Sequence, residues 1–173
     1  DFSRDFTDAS GKTDKASFRL AFAGDWRAPD CFFFTCQRVN VLKVDRSALQ
    51  AHENGVMRIK GVVLSAPHGR DYADFVLAAS NVDFTDESRD ATRIEAANAL
   101  LELVDGPTMN RRFGASSPKD AGLRLRTIRF GVKNIDKMDA LLRRNGIAYE
   151  RRGGALVVHP APGQGAIFAF EAA

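Results

Sequence analysis

The feature that most constrains this chain is an order of elements that occurs twice. A strand pattern over residues 57–66 breaks at Pro67-His68-Gly69 and gives way to a helical pattern. In that helix Tyr72, Phe75, Val76 and Ala79 recur at three and four residues and so share a face. Two short extended stretches follow, over 93–97 and 100–104, divided near Asn98. The order returns with a strand over 125–132, then Asn134 as an N-cap and Ile135, Met138, Leu141 and Leu142 on one helical face. Gly146 is placed to stop that helix. Extended stretches at 148–151, 155–159 and 166–171 close the unit, separated by Gly153-Gly154 and by Pro160-Ala161-Pro162-Gly163. The second unit is therefore βαβββ and the first is close to it.

A βαβββ unit carries a helix on one face of its sheet only, so the other face must find a partner. Two such units pair naturally, and the expected fold is α+β: paired βαβββ modules forming a curved mixed sheet around a cleft. The modules span 55–121 and 122–173 on this reading. Upstream, 17–23 and 31–37 read as strands, since Phe18, Leu20 and Phe22 alternate with Arg19 and Ala21. Residues 1–54 are then the closing strands of a preceding module plus a connection. The start without Met, in a polar stretch, fits that expectation of an earlier part.

Composition sets the class. The chain has 173 residues, 45% hydrophobic and 27% charged, which suits a folded domain and neither a disordered nor a fibrous one. No apolar run approaches the roughly 18 residues of a membrane helix, and the opening lacks a signal-peptide succession. A net charge of +3 with scattered bases gives no nucleic-acid footprint. The pairs Arg111-Arg112, Arg143-Arg144 and Arg151-Arg152 read as solvated surface. Cys31 and Cys36 stand five apart in a strand and face opposite ways, so they are expected as separate reduced thiols of a cytoplasmic protein.

Three stretches add a resemblance to the repeated order: Phe18-Arg19-Leu20-Ala21-Phe22 with Phe33-Phe34-Thr35-Cys36-Gln37, then His52-Glu53-Asn54-Gly55, and last Gly165-Ala166-Ile167-Phe168-Ala169-Phe170. Together they resemble the glyoxalase-like proteins of the vicinal oxygen chelate superfamily, from about Ser17 onward, as the later part of a longer member. The resemblance implies a small-molecule enzyme of lyase, isomerase or dioxygenase type acting on vicinal-oxygen substrates. It also implies one divalent metal ion in the cleft, held by His or Glu from the first and last strands of paired modules. The first strands here, 57–66 and 125–132, contain neither residue. The last strand has Glu171 on the face of Ala169 and Ile167, with Ala169 where related proteins often show an acid.

His52, just before a cleft strand, is the first candidate for a metal ligand or general base; its structural alternative is to satisfy backbone groups in the Asn54-Gly55 turn. Glu171 is the second, as ligand or proton acceptor, against the alternative of a frayed terminus. Both are assigned to catalysis and to the metal, which would act as a Lewis acid. Phe33, Cys36, Gln37, Asn54 and His159 are assigned to substrate binding, with the Phe32–Phe34 run as an apolar wall. His68, in Pro-His-Gly, reads as a turn or cap, and Asp86-Glu87 as a loop. The expected partners are a small-molecule ligand and either a second copy of the chain or further N-terminal modules, with no nucleic acid and no membrane. Two other readings stand beside the enzyme: a metal-free binding module of the same fold for an apolar or aromatic molecule, and a structural repeat without chemistry.

Overall fold

The computed structural model describes residues 1–7, 11–40, 51–116 and 122–173. Two units build its main sheet. The first runs β4 (Val56–Ser65), a 3-10 turn (Gly69–Tyr72) leading into α1 (Ala73–Ser80), then β5 (Asp86–Glu87), β6 (Thr92–Glu95) and β7 (Leu100–Val104). The second runs β8 (Arg124–Val132), α3 (Ile135–Arg144), β9 (Glu150–Arg152), β10 (Ala155–Val158) and β11 (Ile167–Ala172). Between them lies α2 (Gly106–Phe113). The eight strands lie in the order β5-β6-β7-β4-β8-β11-β10-β9. In each unit the first strand runs parallel beside the last, β4 with β7 and β8 with β11. An antiparallel β4·β8 seam joins the units, so the same strand order runs outward from it on both sides. The fold is the expected α+β pairing of βαβββ units in a curved mixed sheet.

Alternation along each strand decides what each face holds. Leu64 and Leu103 turn toward α1, where they pack with Phe75 and Val76. Phe170 and Leu156 turn toward α3 and its Met138 and Leu142. Their neighbours Val63, Val104, Ile167 and Ala169 point the other way and meet Met109 and Phe113 of α2. The face expected to be an open cleft therefore carries a helix across its middle, with Met109 and Val63 both fully buried. Each such side chain contributes about 2 kcal/mol by leaving water. This helix is absent from the expected element order, although Asp105 caps it by accepting the Thr108 N–H at 2.8 Å and Gly114 ends it at φ +67°.

A separate three-stranded antiparallel sheet, β1 (Phe2–Thr7), β2 (Thr13–Gly24) and β3 (Phe32–Asn40), precedes the units. It docks on the first unit through the β2–β3 loop. Arg27 there bonds both Asp74 carboxylate oxygens at 2.9 Å and the Asp71 carbonyl at 2.9 Å, while Ala28 and Cys31 join the α1 core. Strand β1 and the two-residue β5 replace expected irregular chain. The connection read over 38–54 begins as strand, to Asn40, and its residues 41–50 lie outside the described residues. Among the described residues no helix is long and apolar enough to cross a membrane.

Candidate functional site

On the α2 side of the sheet, charged side chains from both units converge. Glu102, on β7, is 1% exposed. Arg112 of α2 donates to it twice, Nη1 to Oε1 at 3.0 Å and Nη2 to Oε2 at 2.9 Å. Arg129, on β8, adds Nη1 to Oε2 at 2.6 Å. The same guanidinium turns to β11 and holds Glu171 with two bonds of 2.8 Å, from Nε to Oε1 and from Nη2 to Oε2. Lys60 stands 3.6 Å from Glu171 and donates to the Ala172 carbonyl at 2.8 Å, and Arg93 lies 3.7 Å from Glu102.

The electrostatics follow from this packing. Burial alone raises the Glu102 carboxyl, yet hydrogen bonds and charge from Arg112 and Arg129 outweigh it and hold the group below the usual carboxylate range. The hydrogen bonds that Arg129 donates to Glu171 raise its guanidinium against its own burial. Four bases surround two acids, so the surface is electropositive. Both carboxylates are already engaged by guanidinium groups, and among the described residues no three His, Cys, Asp or Glu side chains gather to hold a metal ion. The donor set does not fit the divalent metal that the sequence resemblance implies.

A groove of about 660 Å³ lies at the other side of the second unit, between the end of α3, the segment 146–149 and the β10–β11 loop. Leu142, Ile147, Phe168 and Phe170 form apolar walls; Tyr149, Glu150, His159 and Gln164 bring polar groups. His159 Nε2 stands 3.5 Å from Glu150 Oε1. The volume falls in the range of roughly 300–1,000 Å³ common for small-molecule sites. A smaller pocket of about 330 Å³, lined by His68, Arg70, Asp71, Arg89, Asp90 and Asp105 among others, adjoins the 3-10 turn.

The predicted site residues scatter. His52 is exposed in the turn before β4, where its Nδ1 accepts the Asn54 N–H at 3.2 Å and its carbonyl accepts the Gly55 N–H at 3.1 Å. Asn54 uses its side chain on the Val56 N–H at 3.1 Å. Neighbouring Glu53 pairs with Arg144 of α3 at 2.8 Å, on the helix side of the sheet, whereas Glu171 faces Arg129. His52 thus spends its ring nitrogen on its own turn, and Glu171 spends both carboxylate oxygens on Arg129. Phe33, expected as a pocket wall, packs edge-on against Phe75 with ring centroids 5.4 Å apart, because α1 covers that side of β3. Cys36 and Gln37 are exposed on β3, and both cysteines are free. His159 lines the groove between α3 and the β10–β11 loop.

Of the basic pairs expected as solvated surface, Arg111, Arg143, Arg144 and Arg151 are exposed while Arg112 and Arg152 are half-buried, and each meets an acid. Arg112 enters the Glu102 network, Arg111 pairs with Asp90 at 2.7 Å, and Arg143 and Arg151 both reach Asp139 at 2.8 Å. The Tyr149 hydroxyl donates to that same carboxylate, which lies below its ordinary value chiefly for this reason. Glu102, Arg112 and Arg129 were not among the sequence candidates. Their signal is visible in hindsight: Glu102 is the lone charge in Leu-Leu-Glu-Leu-Val, and Arg129 stands between Ile128 and Phe130.

No protein-family model and no curated protein matches the chain. Among solved structures it is similar to a hypothetical protein from Staphylococcus aureus, at 12% identity and TM-score 0.56, over 99% of this chain and 55% of that one. It is also similar, at TM-score 0.46 and 13% identity over 69% of this chain and 91% of the other, to methylmalonyl-CoA epimerase from Mycobacterium tuberculosis. Homoprotocatechuate 2,3-dioxygenase from Brevibacterium fuscum matches at TM-score 0.44 and 18% identity, over 68% of this chain and 33% of that one. The chain thus spans about 55% of the length of the staphylococcal protein, and what it shares with that protein is the fold.

Proposed function

We propose that the protein is a small-molecule-binding member of the glyoxalase-like fold that works without a divalent metal and takes an apolar or aromatic ligand in the groove beside α3. The observation that carries this reading is the groove itself: about 660 Å³ between Leu142, Ile147, Phe168 and Phe170, with few polar groups. Such a site gains its binding energy from apolar burial and uses its polar groups to orient the ligand. The engaged carboxylates on the opposite face support the metal-free part. Two free thiols fit a reducing, cytoplasmic setting.

The test is a fragment screen of small aromatic compounds on isotope-labelled protein, read by amide shifts. Shifts grouped at Ile147, Tyr149, His159 and Gln164, and lost in Ile147→Arg, are the expected result. Ile147 is 44% exposed, so that variant keeps the core. Shifts confined to other surfaces, or none at all, overturn the proposal.

An enzymatic reading of the same groove rests on one observation, the 3.5 Å approach of His159 to Glu150. A carboxylate at that distance orients an imidazole, as a general base requires. His159→Ala would then abolish turnover of a bound ligand while sparing its affinity; equal loss of both, or neither, returns the groove to binding alone.

A further inference from the structure

We propose that Arg129 is a built-in cation standing where a divalent metal would bridge the last strands of the two βαβββ units, so that Arg129→His alone turns this place into a metal site. Glu102 and Glu171 lie on corresponding strands of the repeat, one on β7 and one on β11, each the closing strand of its unit. Arg129 belongs to β8, which pairs with β11 through Arg129 and Ala169 and with β4 through Arg129 and Gly61. Its guanidinium meets both carboxylates, at 2.6 Å on one side and 2.8 Å twice on the other. A buried acid and a half-buried one that share one guanidinium repel each other unless a cation lies between them. A planar guanidinium supplies that charge permanently, since it is not deprotonated in proteins, and it spends its donors on the two acids.

Glu102 keeps Arg112 on both oxygens, so removing Arg129 frees one acceptor site on Glu102 and leaves Glu171 with Oε1 free and Lys60 3.6 Å from Oε2. An imidazole at position 129 reaches less far than the arginine fork. It leaves a gap bounded by one nitrogen and two carboxylates, three ligands of the kind that Zn²⁺ or Mn²⁺ accepts, with water completing the set.

Wild type and Arg129→His, purified without nickel and stripped with EDTA, would be offered Zn²⁺ or Mn²⁺ and assayed for bound metal by plasma mass spectrometry and for melting temperature. Wild type is expected to take up no stoichiometric metal and to melt alike with and without it. The variant is expected to bind near one equivalent and to melt higher when loaded, and Glu171→Gln in its background to lose both effects. Stoichiometric metal in wild type, or a folded Arg129→His that binds none, overturns the proposal. If Arg129→His does not fold with or without metal, Arg129→Gln decides. A lowered melting temperature that Glu171→Gln partly restores in the double variant supports a charge role, and no restoration overturns it. None of these readouts depends on the ligand of the α3 groove, so that reading stands or falls separately.

Discussion

Arg112, on α2, grips Glu102, on β7, with a two-pronged hydrogen bond of 3.0 and 2.9 Å, fastening the helix to the face that it covers. Glu102 is 1% exposed, and its neutral replacement leaves Arg112 and Arg129 short of a charged partner. Glu102→Gln is expected to lower unfolding free energy by about 3 kcal/mol, the scale for breaking one side of a buried pair. Urea denaturation checks it; a loss too small to measure would show that the pair is solvated.

The same carboxylate makes stability depend on pH. Its native value lies below the ordinary 4.5, so as pH falls the unfolded chain takes up the proton first. The contribution is complete above 4.5 and fades as pH drops below it through the native value. The melting temperature of wild type should therefore fall more steeply on acidification below that point than that of Glu102→Gln. Parallel curves for the two proteins would contradict this.

Asp105 starts α2 by accepting the Thr108 N–H at 2.8 Å. Asp105→Ala removes that cap and should cost about 1 kcal/mol. Hydrogen exchange should rise in 106–109 before it rises in β7, and a uniform increase across the sheet would argue against a local cap.

Gly61 and Gly131 sit on the two central strands but should respond differently to alanine. A Cβ at Gly61 would lie 2.4 Å from the Leu100 carbonyl oxygen, in the backbone of the paired strand, so Gly61→Ala must push β4 from β7 at a cost of about 1–3 kcal/mol. At Gly131 the nearest atom, 3.2 Å away, belongs to the flexible Lys60 side chain. Paired urea midpoints test the contrast, which fails if Gly131→Ala is the more damaging change.

Phe33 and Phe34 are neighbours on β3 with opposite fates. Phe33 packs on Phe75, whereas Phe34 is 58% exposed beside Phe22, with ring centroids 5.8 Å apart. Phe33→Ala should cost about 3 kcal/mol, and Phe34→Ala less than about 1. Similar losses in thermal melts of both would place the two rings in one core.

The sequence alone determined the repeated strand and helix order, because the period of apolar side chains is a local property. Phe75 and Val76 or Met138 and Leu142 mark a helical face whatever lies across from it, and Asn134 and Gly146 end α3 by bonding their own neighbours. His52 and Asn54 looked chemical in sequence, yet their hydrogen bonds close a local turn, a use that the same residue types allow. The tertiary structure decided which charges meet. Glu102, Arg112 and Arg129 lie on a strand, a helix and another strand, up to 27 residues apart, and only the β4·β8 seam and the seating of α2 bring them together. No periodicity encodes that contact. It follows from two units sharing one sheet, and from burial that requires each enclosed charge to find an opposite one.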